Sequence, residues 1–105
     1  MMGNGQITVH DLKTRIDRGE DWQVLDVRSI YEYAHGHTDG SVNMTVNSLM
    51  SQMYTISKDR PVALICASGG RSSLGCRLLM SRGFNNVYNV RGGMSAWILS
   101  GYPTA

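Results

Sequence analysis

Residues 62–73 read VALICASGGRSS, from Val62 through Cys66 to Ser73. Four apolar residues in a row, Val62-Ala63-Leu64-Ile65, fit a strand covered on both faces, as in the middle of a parallel sheet. A thiol follows at once. Then come two glycines, an arginine and two serines, and residues 71–81 read as a helix stopped by Gly83. A buried strand that ends on cysteine and turns into a helix through glycine is the start of a β–loop–α unit. In open sheets of such units, ligands bind beyond the carboxyl ends of the strands, where Cys66 falls.

The same alternation extends outward. Thr8-Val9-His10-Asp11 opens a helix with a capping-box-like pattern, Leu12 and Ile16 share one face, and Gly19 ends it. Val24 to Val27 reads as a strand, 31–34 as a short helix and 35–40 as a loop. Residues 41–44 suggest a minor strand, 46–54 a helix and 58–61 a turn. Beyond the central unit, 86–90 is a strand, and Gly92-Gly93 opens a last helix ended by Gly101 and Pro103. Strands alternating with helices predict an α/β fold, an open parallel sheet with helices on both faces.

The chain has 105 residues and a formal charge of +2. The length suits a single domain over 1–105 that folds without disulfides, with 1–6 as a flexible N-terminal segment. No run of Lys or Arg marks a nucleic-acid or anionic-membrane surface. No signal-peptide pattern and no apolar run of membrane-spanning length occurs. Two cysteines and three histidines form no zinc spacing, so no metal or cofactor is expected. Free thiols imply a reducing, cytoplasmic setting.

The loop reads as an anion cradle around a nucleophile. The helix start leaves N–H groups unpaired and pointing into it, favouring negative charge. Gly69 and Gly70 let successive N–H groups converge, and Arg71 adds positive charge. A thiolate at Cys66 would be stabilised. The plain alternative is a small buried hydrophobe, the usual fate of a lone cysteine; the glycines, the arginine and the strand-to-helix turn favour the nucleophile. Cys76, between Leu74 and Met80, reads as core rather than as a resolving thiol. Asp26 and Arg28 read as structural: the carboxylate fixes loop N–H groups, and the guanidinium pairs with a carboxylate for which Glu32 is one candidate. His37 reads as a loop anchor, His10 and His35 as surface residues and Trp97 as packing. Arg91, before the glycine pair, is a candidate for donor binding.

Taken in order, these segments resemble the single-domain rhodanese (thiosulfate sulfurtransferase-like) family over nearly the whole chain. The matching stretches are Thr8 to Leu12, Leu25-Asp26-Val27-Arg28 with Tyr31-Glu32, Gly36 to Asn43, Cys66 to Ser72, and Val90 to Trp97. Thr38, Ser41 and Thr45 depart from the family's usual apolar residue, alanine and proline. The resemblance implies about five parallel strands between helices and a ping-pong transfer of sulfur. In that scheme Cys66 takes sulfur from a small anionic donor such as thiosulfate. The N–H groups of Ala67, Ser68, Gly69, Gly70, Arg71 and Ser72 hold the persulfide, and Arg71 helps bind the donor. A thiophilic acceptor, cyanide or a protein thiol, removes the sulfur, and a protein persulfide is an alternative donor or acceptor. Two other classes share a cysteine loop. A phosphatase or arsenate reductase generally places five residues between Cys and Arg, where this chain has four, and needs a general acid that the sequence does not offer. A non-enzymatic persulfide carrier or binding module would keep the same loop.

Overall fold

The computed structural model describes residues 4–105. Five strands, β1 (Asn4–Thr8), β2 (Gln23–Asp26), β3 (Val42–Asn43), β4 (Val62–Ile65) and β5 (Val87–Arg91), form one sheet in the order β1-β5-β4-β2-β3, every pair parallel. Five helices connect them: α1 (Val9–Asp17), α2 (Ile30–Ala34), α3 (Val46–Gln52), continued by a 3-10 turn over Met53–Thr55, α4 (Gly70–Ser81) and α5 (Gly93–Leu99). No helix among the described residues is long and apolar enough to cross a membrane.

Successive side chains of a strand point to opposite faces, and β4 divides between two cores on that rule. Val62, Leu64 and Cys66 join Leu25, Val27, Leu49 and Leu79 on the side of α3 and α4. Ala63 and Ile65 join Leu12, Val24, Val90, Met94 and Trp97 on the side of α1 and α5. Every residue of β4 is buried, which is why the stretch is apolar throughout. Because all strands run one way, the carboxyl ends of β2, β4 and β5 open onto one edge of the molecule.

The sequence reading of 1–6 as a flexible segment is corrected at residues 4–6, which lie in β1; residues 1–3 lie outside the described residues. β1 pairs with β5 from Asn4↔Val87 to Thr8↔Arg91. Asn and Gly are poor strand formers, so only pairing with a distant strand places them there. Thr8 ends β1 and caps α1, its hydroxyl accepting from the Asp11 N–H at 3.0 Å.

The polar departures in the 36–43 segment are satisfied internally. The buried Thr38 hydroxyl donates to the Met94 sulfur at 3.5 Å, and the buried Ser41 hydroxyl donates to the Thr38 carbonyl at 2.6 Å. His37 anchors this loop as expected: its Nδ1 is 2.8 Å from the Tyr33 carbonyl, and its ring stacks on Tyr33 at 3.7 Å between centroids.

Candidate active site

Cys66 follows the last residue of β4 and is 1% exposed. The chain then curls back over it. Gly69 caps α4 with φ +118°, a conformation costly for other residues, and this turn aims the Gly69 N–H at the Cys66 sulfur, 3.0 Å away. The Ser72 hydroxyl lies 3.2 Å from the same sulfur. Burial pushes the Cys66 thiol up, but hydrogen bonds from the Ser72 side chain and from the Ser72, Gly69 and Ser68 N–H groups outweigh it, and the net shift is downward. The loop is therefore a set of donors converging on one sulfur atom.

The opening of α5 supports that loop from beneath. The Met94 N–H donates to the Cys66 carbonyl at 2.7 Å, and the Ser95 N–H to the Ala67 carbonyl at 3.0 Å. The unpaired N–H groups of the helix start are thus satisfied by the loop that carries the cysteine. The approach is close: a Cβ on Gly93, whose φ is +55°, would lie 2.2 Å from the Cys66 carbonyl oxygen. This contact explains Gly93; Gly92, with φ +74°, is excluded from carrying a side chain by Ala96, whose Cβ would lie 2.7 Å from its own.

Asp26 and Arg28 form a buried pair. The Arg28 N–H donates to Asp26 Oδ1 at 3.0 Å, and its guanidinium to Asp26 Oδ2 at 2.7 Å. Arg28 also donates to the Gly36 carbonyl at 2.7 Å, tying the 35–40 loop to the end of β2. Of the carboxylates open to Arg28, Asp26 is its partner and Glu32 is not. Glu32 instead grips Arg71 in two parallel contacts of 2.7 and 2.9 Å. Arg71 hydrogen bonds, with the Ser29 N–H of the α2 capping box, hold the Glu32 carboxyl well below its ordinary value, at about 2. Arg71 therefore sits on the rim beside the loop, half-exposed and paired. It lines a pocket of about 400 Å³ with Val27, Ser29, Val46 and Leu74, while Glu32 lines one of about 440 Å³ with Arg28, Tyr31 and Ile98.

Arg91 is exposed at the end of β5, in register with Thr8. Cys76 is buried among the apolar residues under α4; burial, with the nearby Cys66 charge, pushes its thiol up to about 12. The residue missed in the sequence is Asn89. It is buried in the middle of β5, shares the parity of Val87, and its side chain meets Ser72 and Gly69 from the strand side. The legible signal was a polar residue at the α4-facing position between two apolar neighbours, Tyr88 and Val90. Among the described residues, no three His, Cys, Asp or Glu side chains stand together as a metal-binding set.

Comparison with known proteins agrees with this architecture. A crystal structure of a rhodanese-related protein from Thermoplasma volcanium superposes with a TM-score of 0.86 at 33% identity, covering 95% of this chain and 96% of that one. A sulfurtransferase of Allochromatium vinosum is 35% identical over 98 residues, 93% of this chain and 92% of its own length. A thiosulfate sulfurtransferase of Shewanella oneidensis is 33% identical over 75 residues, 71% of this chain and 74% of its own. The family model for the rhodanese-like domain matches residues 8–100, from the cap of α1 to the end of α5. With its cysteine loop at the end of the central strand and its glycine pair beneath, the chain belongs to the rhodanese-like domain family.

Proposed function

We propose that this protein is a sulfurtransferase that carries sulfane sulfur on Cys66 as a persulfide. The observation that carries the reading is the ring of donors around the Cys66 sulfur: the Gly69 N–H at 3.0 Å, the Ser72 hydroxyl at 3.2 Å, and the neighbouring N–H groups. Such a ring favours a thiolate before transfer and stabilises negative charge on the sulfur bound afterwards. Sulfurtransferase relatives support the same class of reaction.

In the cycle, the Cys66 thiolate attacks the outer sulfur of thiosulfate. The new S–S bond forms as the old one breaks, and sulfite leaves with the electron pair. Cyanide, or a protein thiolate, then attacks the bound sulfur; thiocyanate or a protein persulfide leaves, and the Cys66 thiolate returns. A protein persulfide enters the same cycle in place of thiosulfate. Arg71, on the rim, attracts an anionic donor while exchanging its bond to Glu32. Asp26 and Arg28 fix the neighbouring loop rather than react, and Arg91 adds positive charge at the end of β5.

Two features disfavour phosphate chemistry at this site. Only four residues separate Cys66 from Arg71, one fewer than a cysteine-loop phosphatase generally places there. A phosphatase must also protonate a leaving group. Glu32 is held as a carboxylate by Arg71, and Asp26 is committed to Arg28.

The test is intact mass after incubation with thiosulfate, then after cyanide, for the wild type and Cys66→Ala. The expected result is a gain of one sulfur atom in the wild type alone, discharged as thiocyanate. A folded wild type that gains no sulfur from thiosulfate or from a protein persulfide overturns the proposal.

A further inference from the structure

We propose that Asn89 is a positioning residue that competes with the Cys66 sulfur for the single hydroxyl proton of Ser72, and so sets how much thiolate the resting protein holds. The inference rests on the reading of Cys66 as the sulfur-carrying nucleophile. Ser72 is fully buried, and its hydroxyl has three acceptors within reach: the Cys66 sulfur at 3.2 Å, the Gly69 carbonyl at 3.2 Å and the Asn89 Oδ1. A serine hydroxyl has one proton to give. The Asn89 amide is oriented by its Nδ2, which donates to the Gly69 carbonyl at 3.4 Å and leaves Oδ1 toward Ser72. Parallel pairing of Asn89 with Leu64 puts this amide beside β4, on the face covered by α4.

When Cys66 is a thiol, its S–H donates to the Ser72 oxygen and Ser72 donates to Asn89. When the proton leaves the sulfur for solvent, the hydroxyl must turn toward the thiolate, and a buried Asn89 oxygen loses its donor, which is unfavourable. Asn89 thus favours the protonated sulfur, against the N–H groups that favour the thiolate. Once a sulfur atom is bound and the charge moves outward, the hydroxyl proton returns to Asn89. The other charged or titratable groups around the sulfur are Arg71 with Glu32, Asp26 with Arg28, and Cys76 on α4; none of them changes in the variants below.

The test is the pH dependence of Cys66 alkylation by iodoacetamide, mapped by mass, in Asn89→Leu, Ser72→Ala and the double variant. With Asn89→Leu the midpoint falls, and well below the wild-type midpoint the rate rises about two- to fivefold, the effect of one ordinary hydrogen bond. Ser72→Ala raises the midpoint, and adding Asn89→Leu to it changes nothing further. An unchanged or raised midpoint in Asn89→Leu, or an effect that persists without Ser72, overturns the proposal. Should the leucine variant not fold by circular dichroism, Asn89→Val, better suited to a strand, decides by the same outcomes. Alkylation needs no sulfur donor. Failure of sulfur uptake in the wild type therefore overturns the proposed function alone, and an additive cycle overturns the role of Asn89 alone.

Discussion

Cys66 and Cys76 carry the same side chain into the same core and emerge with opposite chemistry. Around Cys66, donated hydrogen bonds outweigh burial; around Cys76, burial has no such opponent and the thiol rises to about 12. At pH 8, alkylation should therefore label Cys66 and spare Cys76, as peptide mapping would show. Cys66→Ala should abolish sulfur uptake. Cys76→Ala should keep most of it, while lowering stability by about 1 kcal/mol through the lost buried sulfur; equal loss of uptake in both folded variants would restore a resolving role for Cys76. The ring of donors around Cys66 was legible because its neighbours in sequence are its neighbours in space. Two relations were not. The partner of Arg71 is Glu32, thirty-nine residues earlier in the chain, and Asn89 meets Ser72 only through the register of two parallel strands. Neither can be read from local spacing.

Helices and strands were legible wherever apolar periodicity and glycine stops agree, as in α4 and β4. What the elements do to each other follows from contacts between them. α5 starts against the cysteine loop with no room for a side chain at 93, so Gly93→Ala should destabilise the protein by about 2 kcal/mol or more and reduce sulfur uptake along with it. Thermal melts and the mass assay would measure both. Between α2 and α4, the Glu32–Arg71 clasp has a pH signature. The Glu32 carboxyl is lowered from 4.5 to about 2, so its contribution is fully present above the unfolded value. It is lost as pH falls through the folded one. Melts of wild type and Glu32→Gln should differ by a constant amount above about pH 5 and converge toward pH 2. The difference should be small, since both partners are more than a third exposed. A gap that widened in acid would show that Glu32 does not act through Arg71.

At the scale of the whole molecule, a parallel α/β sheet was legible from the alternation of elements, and a count of about five strands from the family resemblance. β1 was not, because it opens on Asn4 and Gly5, poor strand formers that gain their structure from β5. That strand is an edge of the sheet, and it covers the side of β5 opposite β4. Deleting the chain through Gln6 should remove the pairing of residues 4–6 with Val87, Tyr88 and Asn89 and lower the melting temperature by several degrees, of the order of 4–8 °C per kcal/mol for a domain of this size. Amide exchange along β5 should rise in the same variant. Unchanged protection at Asn89 would mean that β5 is held from the β4 side alone.

The near-complete burial of the Cys66 sulfur, 1% exposed, has a regiochemical consequence under the proposed cycle. A persulfide offers two electrophilic atoms. Attack on the outer one passes on the cargo, whereas attack on the inner one expels hydrosulfide and leaves the protein joined to its acceptor in a mixed disulfide. The loop covers the inner atom, and the outer one stands about 2 Å beyond it along the S–S bond. Turnover is thereby steered away from dead-end adducts by shape alone.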